Sequence, residues 1–290
     1  MPELPEVEIT ARLLDAALTG AEIAYARAPG INALRTFEPS LSALVGGRVT
    51  AVRRRGKQLI VDVAGGADDP RALTVLMHLM SAGRLQLYDK PAGPRDRTSR
   101  VLIGFADGRE LRLREFGSKQ AAWVKLMPSE QLDEDDALAA LGPEAWPEPG
   151  GEAGLEELLD APRPLHALLR DQHVIAGIGR SWVDEILWQA RLSPYKRGAD
   201  LDRGEVERLT NAIRETLDAA LSHYEQTISL PIPDKLPMPL RIHRHEGEPC
   251  PRCATWLLAV HFEDYVIAYC PTCQTEGRAL KDRRLSRLLR

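Results

Sequence analysis

The amino-acid sequence predicts an α+β protein: an N-terminal antiparallel β-sandwich with flanking helices, then a helical domain that carries a cysteine-bearing β-hairpin. Three observations predict this class. β-like runs fill residues 48–64, 71–88, 99–116 and 119–127, and Gly, Asp and Pro interrupt them. Beyond residue 154, apolar residues recur three or four apart, as they do in helices. Near the C-terminus, two C-x2-C pairs frame a short segment.

The first predicted element is a helix over residues 5–18, with Val7, Leu14 and Leu18 on one face. A proline in a first turn has its φ angle already set for a helix, and acidic residues there suit the positive end of the helix dipole. The opening stretch MPELPEVE is therefore typical of a helix start. In the β-like region, the tripeptide ADG at 106–108 predicts a hairpin turn.

Charge is distributed unevenly along the chain. The 290 residues carry a net charge of −4, yet residues 129–160 hold eleven acidic side chains and no Lys or Arg. The remainder carries 38 basic and 31 acidic groups, a net charge of +7 that is compatible with a polyanionic partner. No apolar run approaches the roughly 20 residues of a membrane span, and the N-terminus does not resemble a signal peptide. We therefore expect a cytoplasmic protein with no membrane partner.

The four cysteines form two pairs, and each pair can lie on a tight turn. Sixteen residues separate Cys250 and Cys253 from Cys270 and Cys273, a spacing typical of a structural zinc site. Two disulfides are the alternative, but they are rare in cytosolic proteins. We expect one structural zinc per chain. Because four thiolates leave no open ligand position, this zinc would fold the hairpin without taking part in catalysis.

Two further motifs allow more than one interpretation. The stretch RRRGKQLI at 53–60 places three arginines and a lysine on a strand pattern, which suits phosphate contacts or a charged edge strand. The GIG tripeptide at 177–179 lies between two helical stretches, at 165–177 and 181–192. A Gly-rich turn at a helix start can bind a phosphate, or it can be a packing corner.

Several motifs occur together, in one order, in a single family. The sequence resembles the formamidopyrimidine-DNA glycosylase and endonuclease VIII family of base-excision repair enzymes, and its opening looks like the formamidopyrimidine branch. The matching stretches span nearly the whole chain: MPELPEVE at 1–8, RRGKQLI at 54–60, HL at 78–79, REFG at 114–117, DQ, AGIG and DE between 171 and 185, GEPC at 247–250, and the second C-x2-C followed by Gln274.

The resemblance implies a DNA glycosylase with apurinic/apyrimidinic lyase activity that acts through Pro2. Removal of the initiator methionine leaves Pro2 with a secondary amine, and α-amino groups have a reference pKa of about 7.7 to 8.0. Such an amine can attack C1′ of a deoxyribose, expel an oxidised base and form a Schiff base, which permits β-elimination. The family implies acid/base work for Glu3, support from Glu6, and phosphate contact and proton donation by Lys57.

The resemblance also implies residues that contact DNA. Arg114 and Phe116 match the residues that enter the duplex when the damaged nucleotide is flipped out, at a cost of a few kcal/mol. His78 belongs to the HL motif, and either Met80 or Ser81 stands at the position that fills the void. Gly179 matches the family in the Gly-rich turn, whereas Arg180 stands in place of the family asparagine and can still bind phosphate.

Other departures concern specificity. Tyr265 aligns with a family arginine that contacts phosphates and is implicated in δ-elimination. The segment 227–243 is shorter than the family loop that closes over 8-oxoguanine, and TSR at 98–100 replaces a histidine pair. The tail at 276–290 extends beyond the usual family end and has the pattern of a basic amphipathic helix.

These features predict five segments and one partner. The segments are a catalytic β-sandwich at 1–128, an acidic linker at 129–153, a helical DNA-binding domain with a helix, two-turns, helix element at 154–240, a zinc hairpin at 241–275 and a basic tail at 276–290. The expected partner is double-stranded DNA with a damaged base or an abasic site. The protein is expected to be a monomer, associated with the nucleoid when it binds DNA.

Two alternatives stay open at this stage. The chain can be a DNA-lesion binding protein that keeps the scaffold without efficient catalysis, which Tyr265 and the altered void-filling loop at 78–83 favour. Alternatively, it can be an endonuclease VIII-like enzyme with another lesion preference. Retention of Pro2, Glu3 and Lys57 favours an enzyme, since binding alone does not require them.

Overall fold

The computed structural model describes residues 2–66, 70–93, 96–116 and 120–281. The chain divides into two compact units, and each is built from two separate stretches of sequence. The first unit comprises Met1–Ala139 and His223–Pro237, and the second comprises Ala140–Ser222 and Met238–Arg290. The five segment boundaries drawn from the sequence stay predictions, and most of the predicted basic tail lies outside the described residues.

The helices are α1 (Leu4–Leu18), α2 (Asp136–Ala139), α3 (Gly154–Leu159), α4 (Leu165–Arg170), α5 (Arg180–Ala190), α6 (Arg203–Thr227) and α7 (Pro271–Thr275). The strands are β1 (Ile23–Arg27), β2 (Arg48–Arg55), β3 (Gln58–Ala64), β4 (Leu73–His78), β5 (Gly83–Tyr88), β6 (Ser99–Phe105), β7 (Glu110–Glu115), β8 (Trp123–Pro128), β9 (Leu258–His261) and β10 (Val266–Tyr269). Strands β2 to β8 and helices α1, α4, α5 and α6 lie in stretches that the sequence predicts as β-like or helical, whereas strand β1 and helix α2 were not predicted. Among the described helices, none is both long enough and apolar enough to cross a bilayer.

The first unit contains two four-stranded antiparallel sheets, as predicted. Their strand orders are β1-β6-β7-β5 and β2-β3-β4-β8. The alternating residues of both sheets supply one shared core, which includes Val61 and Val75 from one sheet and Ile103 and Leu113 from the other. The predicted ADG turn joins β6 to β7, with Gly108 at φ +90°. The sandwich therefore follows directly from the period-two pattern.

Helix α1 adds a third layer to this core. Its apolar face buries Val7, Leu14 and Leu18 completely, and these side chains belong to the same cluster as the sandwich interior. Each such side chain contributes roughly 1.5–3 kcal/mol through burial. The helix begins right after Glu3 and ends before Gly20, whose φ of +86° is suited to glycine.

In the second unit, the turn between α4 and α5 begins earlier than the sequence predicts. The apolar pattern indicated a helical stretch over 165–177, whereas α4 ends at Arg170. Two side chains compete for the backbone there. The Asp171 carboxylate accepts the His173 N–H at 3.1 Å, and the Gln172 amide oxygen accepts the Gly177 N–H at 3.0 Å. Such local acceptors favour a turn over continued helix.

Two adjacent carboxylates on α5 hold the cysteine-bearing hairpin in the second unit. Glu185, which is 4% exposed, accepts the backbone N–H groups of Arg241, Ile242 and His243 at 2.9–3.1 Å. Asp184 accepts the Ala268 N–H at 3.0 Å and contacts the His243 ring at 2.7 Å. Both carboxylates belong to the DE motif seen in the sequence, and both act as buried acceptors for backbone outside their helix.

Replacing Glu185 should therefore destabilise the second unit. In Glu185→Ala, three N–H donors lose their acceptor, and we expect a loss of about 3 kcal/mol in the free energy of unfolding. Urea denaturation followed by circular dichroism measures this loss. The control is Glu207→Ala, an exposed glutamate on α6, which should change stability by less than about 0.5 kcal/mol. Equal stability of the two variants would contradict the role given to Glu185.

Candidate active site

Pro2 precedes the first turn of α1, and a reciprocal pair of hydrogen bonds fixes the residue after it. The Glu3 N–H donates to Oε2 of Glu6 at 2.8 Å, while the Glu3 carboxylate accepts the Glu6 N–H. This arrangement is a capping box, in which both donors would otherwise be unsatisfied. Glu3 and Glu6 are 2% and 3% exposed, whereas Pro2 is half-buried. The three predicted residues are therefore held together at one helix end.

A tyrosine that the sequence analysis did not identify completes this group. Tyr224, in the last turns of α6, is fully buried and donates its hydroxyl to Oε1 of Glu6 at 2.7 Å. Burial, and then the negative charge of Glu6, raise the pKa of Tyr224 far above its ordinary value. The phenol therefore stays protonated and remains a donor. Both oxygens of Glu6 thus have a named partner.

Lys57 lies at the tip of the β2–β3 hairpin. It is the second residue of a two-residue turn between the paired Arg55 and Gln58, and Gly56 supplies the positive φ of +57° that the turn requires. The lysine is only 7% exposed. A hydrogen bond from Arg54 of β2 to the carboxylate of Glu8 in α1, at 2.7 Å, links the hairpin to the helix. Lys57 is therefore a nearly buried ammonium on a constrained turn.

His78 is neutral at physiological pH and shapes the backbone that follows it. Burial, and secondarily the positive charge of Lys57, lower the pKa of His78 to about 4. Its neutral Nδ1 accepts the Met80 N–H at 2.9 Å, and Met80 adopts a φ of +49°, which is uncommon for a residue with a side chain. Met80 is half-buried and Ser81 is exposed. The choice between them as the void-filling residue stays a prediction.

Arg114 and Phe116 lie side by side at the end of β7. The Arg114 guanidinium carbon is 4.7 Å from the Phe116 ring centroid, and Phe116 is 38% exposed. Arg114 also donates to Thr98 at 2.9 Å and to Gln86 at 3.1 Å, which fix its direction. Gly117, the last residue of the predicted REFG motif, lies outside the described residues.

Glu115, the last residue of β7, anchors the backbone of Ala121 and Ala122. Glu115 is 3% exposed and accepts the N–H groups of Ala121 and Ala122 at 2.7 and 2.8 Å. One buried carboxylate thus fixes the backbone immediately before β8 against the end of β7. In the sequence, Glu115 is recognisable only as part of the REFG motif.

Gly179 and Arg180 belong to the second unit, at the start of α5. Gly179 is the N-cap residue, and the turn before it contains Gly177 at φ +109°. Arg180 is the first helical residue, and its guanidinium donates to the backbone oxygen of Asp264 at 2.6 Å and to its carboxylate at 2.7 Å. The predicted phosphate-binding arginine is therefore paired with a carboxylate.

The four cysteines of the second unit converge as the spacing predicted. Their sulfur atoms all lie within 4.8 Å of one another, and the Cys253–Cys270 and Cys253–Cys273 pairs are each 3.5 Å apart. Zinc–sulfur bonds of about 2.3 Å in a tetrahedron require sulfur separations of about 3.8 Å. Hydrogen bonds from Thr255 lower the pKa of Cys253 to about 6, whereas burial raises the pKa of Cys270 and Cys273, so the convergence of the four sulfur atoms is the evidence for a metal site. The cysteines could bind a metal ion, and their donor set fits zinc.

Comparison with known families gives matches in both units. The model of the formamidopyrimidine-DNA glycosylase N-terminal domain matches residues 1–118, and the model of the formamidopyrimidine-DNA glycosylase H2TH domain matches residues 141–231. Together these matches cover more than half of the chain. They include the start of α1, the β2–β3 turn and the Gly-rich turn before α5.

Curated relatives and solved structures agree with the family models. Formamidopyrimidine-DNA glycosylases of Thermus thermophilus and Latilactobacillus sakei are 34% and 30% identical, and each alignment covers 96% of this chain and 100% of the relative. Lactococcus lactis Fpg bound to DNA containing N7-benzyl-Fapy-dG has a TM-score of 0.82 at 26% identity, covering 94% of this chain and 100% of that chain. The same enzyme with DNA containing an abasic site gives 0.81 at 25% identity, covering 94% and 99%. The chain described above thus belongs to the formamidopyrimidine-DNA glycosylase family.

Proposed function

We propose that this chain is a base-excision repair DNA glycosylase that also cleaves the DNA strand as an apurinic/apyrimidinic lyase, with Pro2 as the nucleophile. One observation carries the proposal. Glu3, the residue next to Pro2, is held by a capping box with Glu6, and Glu6 is held in turn by a hydrogen bond from Tyr224. Family membership supports the glycosylase activity. The partner is double-stranded DNA containing a damaged base or an abasic site, and the chain works as a monomer in the cytoplasm, at the nucleoid.

The first chemical step uses the secondary amine that removal of Met1 exposes on Pro2. Its nitrogen lone pair attacks C1′ of the damaged nucleotide, and the electron pair of the broken glycosidic bond leaves with the base, which takes up a proton from solvent. The Glu3 carboxylate accepts the proton of the attacking amine and passes it to O4′ as the C1′–O4′ bond opens, which yields an iminium between Pro2 and C1′. Because Glu3 is covalently next to the nucleophile, its carboxylate reaches the same sugar.

The second step breaks the strand. The positive iminium acidifies the C2′ proton, the Glu3 carboxylate accepts this proton, and the C2′–H electron pair expels the 3′ phosphate by β-elimination. Lys57 holds the phosphate beside the lesion, since a nearly buried ammonium is a strong partner for a phosphate oxygen. Water then hydrolyses the iminium and regenerates the Pro2 amine. Glu6 takes no proton itself in this scheme; it orients Glu3.

In the proposal, residues of each unit contact the duplex. Phe116, exposed beside Arg114, provides an aromatic wedge for the base stack, and Arg114 faces the orphaned base. The turn of His78 and Met80 enters the space left by the flipped nucleotide. In the second unit, Gly179 and Arg180 contact backbone phosphate at the start of α5.

A lesion-binding protein without efficient catalysis is the second candidate. The observation that favours it is Tyr265, which removes the arginine that the family resemblance implies at that position. A binder of this kind would form tight complexes with an abasic duplex and would not react with it. Covalent trapping therefore separates the two candidates.

Borohydride should trap a covalent complex between the protein and duplex DNA containing an abasic site, because reduction converts the iminium into a stable amine. We expect trapping by the form that begins at Pro2, and at least about a hundredfold less by a form that retains methionine, since its secondary amine is blocked. Denaturing electrophoresis measures the complex.

Pro91→Gly is the matched control, since Pro91 is exposed in a loop of the same unit. It should trap like the parent protein, whereas Pro2→Gly replaces the secondary amine with a primary one and should trap more slowly. Tight DNA binding with no trapped complex in any form would support the lesion-binding protein and exclude the lyase.

We assign the metal held by Cys250, Cys253, Cys270 and Cys273 as one structural zinc, whose binding stabilises the hairpin of β9 and β10. The purified protein should contain one zinc per chain by atomic absorption. Cys270→Ala should lose zinc and DNA affinity together, because the hairpin no longer folds around the metal. Glu207→Ala, which lies on α6 of the same unit, should retain both. Normal DNA binding by metal-free protein would contradict the assignment.

A further inference from the structure

The ring of Tyr265, in the turn between β9 and β10, contacts four side chains of the second unit. It stacks on Phe262 with centroids 4.4 Å apart and on His166 with centroids 5.8 Å apart. The guanidinium carbons of Arg170 and Arg180 lie 4.2 and 5.7 Å from the Tyr265 centroid. One aromatic side chain thus gathers two cations that come from different helices, the last residue of α4 and the first of α5.

This arrangement leaves both arginines able to bind an anion. An aromatic ring attracts the flat face of a guanidinium, whereas the N–H donors lie in the guanidinium plane and stay available at its edges. Because both arginines contact the same ring, their guanidinium carbons lie within about 10 Å of each other. Phosphate matches guanidinium edges bidentately, so two arginines held in this way suit one backbone phosphate or two neighbouring ones.

Asp264 already shows where an anion interacts with Arg180. Its carboxylate accepts from the Arg180 guanidinium at 2.7 Å, and the two side chains are 67% and 44% exposed. Exposed ion pairs of this kind contribute about 0.2–1 kcal/mol, so a phosphate that also reaches Arg170 can displace the carboxylate. Asp264 precedes Tyr265 in the chain, which places the competing carboxylate and the aromatic ring on the same turn.

We propose that Tyr265 positions Arg170 and Arg180 to bind DNA backbone phosphate together. In the absence of DNA, Asp264 forms an ion pair with Arg180, and the phosphate displaces this carboxylate when DNA binds. This inference rests on the proposed function, because its ligand is the DNA backbone. It also explains how a tyrosine can replace the arginine that the family resemblance implies here. The ring carries no charge, and it orients the guanidinium groups of Arg170 from α4 and Arg180 from α5.

The test measures the affinity of the full zinc-loaded chain for a duplex with a tetrahydrofuran abasic analogue, at several salt concentrations. Tyr265→Phe keeps the ring and should bind like the parent protein. Tyr265→Ala and Arg170→Ala should each weaken binding about tenfold and reduce the slope of log K against log salt by about 0.9, the value for one phosphate contact. Asp264→Asn should tighten binding about two- to fivefold, because the competing carboxylate is gone.

Asp200→Asn is the matched control for the change in charge. Asp200 also forms an exposed ion pair with an arginine of the second unit, Arg197, at 2.8 Å. It should leave the affinity unchanged within about twofold. An equal gain in Asp200→Asn and Asp264→Asn would reduce the effect to net charge and overturn the proposal. So would an unchanged salt slope in Arg170→Ala, or equal losses in Tyr265→Phe and Tyr265→Ala.

Two measurements keep these outcomes interpretable. Thermal unfolding of each variant shows whether Tyr265→Ala folds; if it does not, Arg170→Ala and Asp264→Asn, which leave the stacked rings in place, decide the question. Borohydride trapping of the parent protein on an abasic duplex tests the proposed function separately. A parent that traps and binds DNA, with variants that bind equally well, refutes the Tyr265 proposal alone.

Discussion

The start of α1 is the constraint on which the site depends. A nucleophilic amine at a chain end would ordinarily move with the terminus, and ordering it costs conformational entropy. Here the following residue is both a helix cap and a buried side chain, and the carboxylate of Glu6 ties that cap to the phenol of Tyr224. Burial and three hydrogen bonds thus hold Glu3, the residue after Pro2, and Glu6. The proposed reactivity of Pro2 therefore depends on the same contacts that stabilise the start of α1.

The sequence predicts the layers of the fold well because each layer depends on a local repeat. The alternating apolar residues of the runs 48–64 and 99–116, and the apolar face of α1, are each visible within short windows of sequence. The structure confirms both the strands and the helix. The start of α1 is also local, so its proline and glutamates could be identified. The predicted end of α4 was wrong because the side chains of Asp171 and Gln172 accept hydrogen bonds from the backbone of the turn. The pattern of apolar residues carries no information about such bonds.

Contacts between distant parts of the chain could not be predicted. Tyr224 lies 218 residues from Glu6, and on α6 it is only one more apolar position. Asp184 and Glu185 were recognised as a motif, but their acceptor role requires knowing that backbone near residue 242 and strand β10 lie beside α5. In both cases a buried polar group requires a hydrogen-bond partner. The identity of that partner depends on the three-dimensional fold and cannot be read from the local sequence. The converging cysteines were an exception, since tetrahedral coordination restricts the spacing of the ligands themselves.

In the proposed mechanism, Tyr224 acts on strand cleavage through Glu6 and not on DNA binding. The direct measurement is the single-turnover rate of strand cleavage at an abasic site by Tyr224→Phe, together with its affinity for an uncleavable duplex. Phenylalanine keeps the buried ring and removes only the hydrogen bond to the carboxylate. We expect the rate to fall about tenfold or more, in line with a charge-assisted hydrogen bond of about 1.5–3 kcal/mol, while the affinity is unchanged. A parental cleavage rate in Tyr224→Phe would contradict the account.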